Sequence, residues 1–178
     1  MKQSILLSIL LLISQLIFCQ TEITPQRLQK IKLEVEAQTI KFRTCIINKS
    51  QSEEQIQFSM DTFRINKIAE SRMKIDYSTI GMNTAIAEMT AAYDKLLNKY
   101  YNKLLKSLKG EDKKTFILAQ RSWLSFRDSE FKLVQTLAKD SYSGGGTIQS
   151  NIVIGAYSDM VVKRTLTIFD YYDRLIKE

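Results

Sequence analysis

The stretch AQRSWLSFRDSE, residues 119–130, sets Gln120, Trp123, Arg127 and Glu130 three, four and three residues apart. At about 100° per residue, this spacing gathers all four into one narrow stripe of a helix. Phe116, Phe126, Phe131 and Val134 are read on the same side, and Arg121, Ser122, Ser125, Ser129 and Lys132 on the opposite one. The polar members thus stand on the face expected to be buried. Two other stretches repeat the pattern. Asp94, Asn98 and Tyr101 flank an apolar stripe, and Arg164 falls between Met160 and Ile168.

Unpaired buried charge costs several kcal/mol, so such groups are expected to meet one another. Asp94, Asn98, Tyr101, Gln120, Trp123, Arg127, Asp128, Glu130 and Arg164 are therefore read as one polar network, or as a ligand pocket between helices. Arginine suits either role, because its planar fork engages a carboxylate through two hydrogen bonds. Arg127 is expected to pair with Glu130 or Asp94, and Arg164 to supply the second cation.

Catalysis does not fit this set. A glycosidase-like carboxyl pair needs one raised pKa, and neighbouring guanidiniums lower carboxyl pKa values. The chain has no His, and no nucleophile stands beside an evident base. Gly144–Gly146 follows no apolar strand and reads as a turn rather than a phosphate cradle. No cofactor and no metal site is expected.

The elements that must position these groups are helical. One proline in 178 residues with 44% hydrophobic content fits an all-α chain. Thr24-Pro25 reads as a cap and first position of a helix running to about Asn48. Ser52 with Gln55 forms a capping-box pattern for a second helix, to about Ile75. A third carries Ile86, Met89, Tyr93, Leu97, Tyr101, Leu104 and Leu108 inward and ends at Gly110. The fourth bears the opening motif as far as about Lys139. DSYSGGGT reads as a flexible loop, and a fifth helix covers about Gln149 to Ile176, with Val153, Tyr157, Met160, Val161, Ile168, Tyr171 and Leu175 inward. The expected architecture is an antiparallel bundle of about five helices. It divides into a hairpin over 21–80 and three helices over 82–176, packed as one unit.

Residues 1–19 read as a cleaved signal peptide: Lys2, then the apolar run SILLSILLLISQLIF, then Cys19. The alternative is a lipoprotein anchored through Cys19. With residues 1–19 removed only Cys45 remains, so no internal disulfide can form, and Cys45 is expected to be a buried, inert thiol. The chain has 26 Lys and Arg against 19 Asp and Glu. Lys95, Lys99, Lys103, Lys106 and Lys109 are read along the outer side of the third helix. They form either a solvated face or a contact for anionic wall polymer or lipid headgroups. Export argues against a nucleic-acid partner.

Residues 93–108, YDKLLNKYYNKLLKSL, and 118–130, LAQRSWLSFRDSE, resemble the exported LprI-type, lysozyme-inhibitor-like domain family, as do Gly144–Thr147 and Arg164. The first pattern maps onto Asp94, Leu97, Asn98, Tyr101 and Leu104. The second maps onto Gln120, Arg121, Trp123, Phe126, Arg127, Asp128 and Glu130. The resemblance covers about residues 82–172. The family commonly carries cysteines where this chain has Ala85 (approximately), Phe131 and Ala156, so packing is expected to replace those staples. The resemblance implies a non-enzymatic envelope protein that binds lysozyme or another envelope protein. The alternative is a structural or adaptor protein on anionic polymer or membrane.

Overall fold

The computed structural model describes residues 22–47 and 51–176. The proposed signal peptide and Cys19 lie outside them. Six helices follow in order: α1 (Pro25–Ile46), α2 (Glu53–Ile75), α3 (Thr79–Ser107), α4 (Gly110–Leu137), α5 (Asp140–Ser143) and α6 (Ile148–Ile176). The protein is all-helical, and consecutive long helices run antiparallel.

The helix starts follow from local side-chain chemistry. The Arg27 amide donates to Thr24 Oγ1, with Pro25 in the first turn. The Gln55 amide donates to Ser52 Oγ while the Ser52 amide donates to Gln55 Oε1, completing the capping box. Ser78 Oγ accepts from the Gly81 amide and starts α3. Gly110 differs from expectation: it opens α4 instead of ending α3. Its φ of +52° turns the chain after the extended Leu108 and Lys109. The expected flexible loop holds a single turn, α5, followed by three glycines at positive φ. That is the left-handed region where glycine carries no Cβ penalty.

Helix α3 lies at the centre. α6 returns alongside it in the same direction, with Ser150 beside Asn83, Thr165 beside Tyr93 and Phe169 beside Tyr100. α2 covers another side of α3, α1 packs on α2, and α4 packs mainly on α6. The densest core lies where α2, α3, α4 and α6 converge: Phe58, Leu96, Leu97, Tyr100, Leu104, Phe116 and Ile168. Phe58 stacks on Phe169 at 3.7 Å, and Tyr100 meets both edge-on, at 5.3 and 4.9 Å. Such pairs add about 0.5–1.5 kcal/mol beyond area burial.

Neighbours on more than one side change which residues are inside. In α2, Phe63 stacks on Phe42 of α1, while Phe58 enters the main core. In α3, Leu96 and Tyr100 join the buried set that the single stripe assigned to Leu97 and Leu104. Conversely, Cys45 is exposed rather than buried. Only α2 packs closely on α1, so α1 buries just Ile31, Val35, Thr39 and Ile46, and Cys45 falls beside that line. Phe126, Tyr171 and Leu175, all expected inward, are exposed as well. No helix among the described residues is long and apolar enough to cross a membrane.

Burial pushes the phenols of Tyr93 and Tyr100 above their ordinary pKa. The charges of Glu54 and Asp61 reinforce the effect at Tyr100, whereas at Tyr93 its own hydrogen bond to Asn66 Oδ1 opposes it. The neutral phenol is then favoured by folding. The associated stability is fully present below about pH 10 and is lost as pH rises through the folded values. In an alkaline titration followed at tyrosinate absorbance, Tyr93 and Tyr100 should ionise only as helical circular dichroism collapses. Complete ionisation with the dichroism unchanged would contradict this packing.

Candidate functional site

The expected stripe of α4 does face the bundle. Gln120, Trp123, Arg127 and Glu130 are half-buried, whereas Arg121, Ser122, Ser125, Ser129 and Lys132 are exposed. Only Phe116 on α4 is fully buried, so this helix is pinned near its N-terminal end. Phe126, at 57% exposure, lies on the outer face with Leu118, Leu133 and Leu137.

The polar groups do not form the expected carboxylate–guanidinium cluster. Arg127 donates through Nε and Nη2 to Oδ1 of its chain neighbour Asp128, at 2.9 and 2.7 Å. It pairs with neither Glu130 nor Asp94. Asp94 accepts from Asn98 Nδ2 at 3.2 Å, and Glu130 has no ion pair among the described residues. Arg164 Nε donates to Gln120 Oε1 at 2.9 Å, so an amide rather than a carboxylate receives it. Burial lowers the Arg164 pKa, with the charge of Tyr171 acting in the opposite sense.

The aromatic rings explain the difference. The Arg127 and Arg164 guanidiniums both lie over Trp123, at 5.4 and 5.6 Å from its centroid. Arg127 also lies 5.6 Å from the centroid of Tyr157, which packs on Phe131 at 4.9 Å. A guanidinium is weakly hydrated and is attracted to ring faces, so it tolerates this half-dry place without a buried anion. Phe131 and Tyr157, the latter next to Ala156, fill the neighbourhood where the resemblance expected cysteines.

Two cavities flank this stack. A groove of about 870 Å³ opens between α3, α4 and α6. Asn83, Ala87 and Ala91 line it from α3, Phe131 and Gln135 from α4, and Val153 and Tyr157 from α6. A smaller cavity of about 310 Å³ lies between α3 and α4, beside Tyr101, Gln120 and Trp123. Asp94 borders both. The size and largely apolar lining of the groove suit ligand or partner side chains, whereas the smaller cavity is lined about equally by polar and apolar groups. The sequence reading missed the groove. Its signal is the pair of small residues Ala87 and Ala91, one turn apart on α3, which leaves α4 without large side chains to pack against there. Among the described residues, no three His, Cys, Asp or Glu side chains gather to hold a metal ion.

The lysine row divides. Lys99 bonds Asp61 Oδ2 at 3.0 Å, and Lys103 pairs with Glu54. Both also lie near the Tyr100 ring, at 5.2 and 5.4 Å. They fasten α3 to α2 and are not part of a free outer face. Lys95, Lys106 and Lys109 are exposed without ion pairs among the described residues. The physical reason is α2, whose carboxylates meet this side of α3.

This arrangement lowers the expected effect of removing Arg127, because Asp128 is 58% exposed and keeps its solvation. Arg127→Ala should cost about 1 kcal/mol, mainly through lost ring contact. Arg164→Ala leaves Gln120 without its partner in a part-buried place and should cost about 1–3 kcal/mol. The exposed control Arg121→Ala should stay within about 0.5 kcal/mol. Urea unfolding of the three variants measures the order. An Arg164→Ala midpoint equal to that of Arg121→Ala would show that the Gln120 bond contributes nothing.

Comparison with known proteins adds one finding. The family described as lysozyme inhibitor LprI matches residues 69–167, more than half of the chain. The match takes in the end of α2, all of α3, α4 and α5, and most of α6. It therefore covers every helix that builds the groove and the arginine–tryptophan stack. No curated protein and no solved structure gives a significant match. The chain belongs to the LprI lysozyme-inhibitor family.

Proposed function

We propose that this protein is an exported, non-enzymatic inhibitor that binds lysozyme through the outer face of α4. The observation that carries the reading is the family match over α3, α4 and α6. The surface follows from charge. The chain carries a net charge of +7, and animal lysozymes are generally basic, so long-range attraction cannot drive contact. The outer face of α4 avoids that repulsion. Leu118, Ser122, Phe126, Ser129 and Leu133 follow one another at helical spacing with no charge among them, and the three large side chains are exposed. Exposed apolar patches of this kind mark partner surfaces.

A second reading, an envelope adaptor on anionic polymer, keeps only Lys95, Lys106 and Lys109 of the lysine row, since α2 takes up the other two. The first reading is favoured for that reason.

Residues 20–178, added to a lysozyme clearing assay at micromolar concentration, should slow cell-wall lysis. Phe126→Glu with Leu133→Glu should abolish the effect while leaving the helical dichroism intact. Lys106→Glu with Lys109→Glu should preserve it. No inhibition and no complex with the unaltered protein would end the lysozyme reading. Equal inhibition by the α4 variant would move the interface elsewhere.

A further inference from the structure

The groove between α3, α4 and α6 is the largest cavity described above, but a second cleft has chemistry more specific than size. It lies between α2 and α3, has a volume of about 460 Å³, and is bordered by Lys32 at the edge of α1. Its floor is apolar: Ile65, Ile68, Ala69, Ala92 and Met89. Its charged lining is mainly cationic, with Lys32, Arg64 and Lys95 at the rim and Arg72 buried within, against the single carboxylate of Glu88.

Arg72 is the central group. It is only 6% exposed, far below the norm for arginine. One of its terminal nitrogens pairs with Glu88, but its Nε is buried and has no hydrogen-bond partner among the described residues. A buried, unused donor on a cation is costly, and it is satisfied by an acceptor that enters the site. The other charges show which cations remain available. Arg64 is committed to Glu36, at 2.8 and 3.1 Å, and to Asp61, at 3.2 Å. Lys99, just beyond the cleft, is committed to Asp61. Lys32 and Lys95 have no ion pair among the described residues. Counting Glu36, Asp61 and Glu88 against Lys32, Arg64, Arg72, Lys95 and Lys99 leaves two cations in excess, at the cleft's rim.

We infer that the α2–α3 cleft is a binding site for an anionic amphiphile, a phosphate or carboxylate head on an apolar body. The head accepts from Arg72 Nε and is attracted by Lys95 and Lys32. The body lies along Ile65, Ile68 and Met89. A free anion would leave the apolar floor wet, and a neutral amphiphile would leave Arg72 Nε without an acceptor. The site is built by α2 and α3, apart from the outer face of α4, so it stands independently of lysozyme binding.

Dodecyl phosphate below its micellar concentration is the probe, measured by titration calorimetry against residues 20–178. It should bind at least about tenfold more tightly than dodecyl maltoside or inorganic phosphate, since one charge-assisted contact is worth roughly that factor. In ¹⁵N-labelled protein the Arg72 Nε–H resonance should shift on binding. Lys32→Glu with Lys95→Glu should weaken binding by at least about tenfold. The same charge change outside the cleft, Lys106→Glu with Lys109→Glu, should not. Both double variants alter unpaired surface lysines, and matching melting curves verify that they fold. Phosphatidylglycerol vesicles form a second arm. Binding to dodecyl phosphate alone identifies a soluble ligand, and binding to both identifies a lipid drawn from a membrane. Equal affinity for dodecyl phosphate, dodecyl maltoside and inorganic phosphate would overturn the proposal. So would unchanged affinity in the Lys32/Lys95 variant, or an Arg72 resonance that does not move.

Discussion

Tyr100 has no exposed surface, and the rest of the molecule is arranged around the contacts that bury it. Its ring meets Phe58 from α2, and Phe169 and Tyr172 from α6, while its hydroxyl donates to Glu54 at 3.3 Å. One side chain on α3 thereby ties three helices together. The close approach of α3 and α6 farther along depends on a small hydroxyl. Thr165 is fully buried, and its Oγ1 lies 2.8 Å from the Val161 carbonyl and 3.2 Å from that of Tyr93. A larger side chain there would hold the two helices apart.

Because α2 and α6 satisfy so much of α3, α4 is left with a partial contact. It is held by Phe116 at one end and by the stack of Arg127, Trp123 and Arg164 midway. Toward its far end it faces alanines of α3 across the groove. A helix docked so lightly keeps apolar surface on its outer side, which is where Leu118, Phe126 and Leu133 stand. The same distribution of packing that stabilises one end of the bundle therefore creates both the groove and the exposed face.

Charge is handled in two ways on the two sides of α3. Toward α2, lysines and arginines meet carboxylates: Lys99 with Asp61, Lys103 with Glu54 and Arg72 with Glu88. Toward α4 and α6, guanidiniums meet rings and an amide. Trp123, the chain's one tryptophan, offers a face to both Arg127 and Arg164 and so substitutes for the anions expected there. Rings in a half-buried place avoid the desolvation cost that a carboxylate would add.

The sequence by itself determined the five long helices and the starts of the first two. Serine and threonine hydroxyls accept from amides three residues on, and proline's fixed φ suits the first helical position, so Thr24-Pro25 and the Ser52–Gln55 box were legible without any tertiary information. The inward face of α4 was legible too, because 3.6-residue periodicity is a property of the single helix. Pairing was not. Arg127 could reach Asp128, Glu130 or a residue on α3, and the choice depended on how far α4 stands from α3, which is set by small side chains on a different helix. Likewise, Phe126 and Cys45 belong to apolar patterns, yet burial requires a neighbour, and only the packing order of the helices decides which faces have one. The lysine row shows the same limit: five residues share a helical side, but two of them meet α2 carboxylates that lie some forty to fifty residues earlier in the chain.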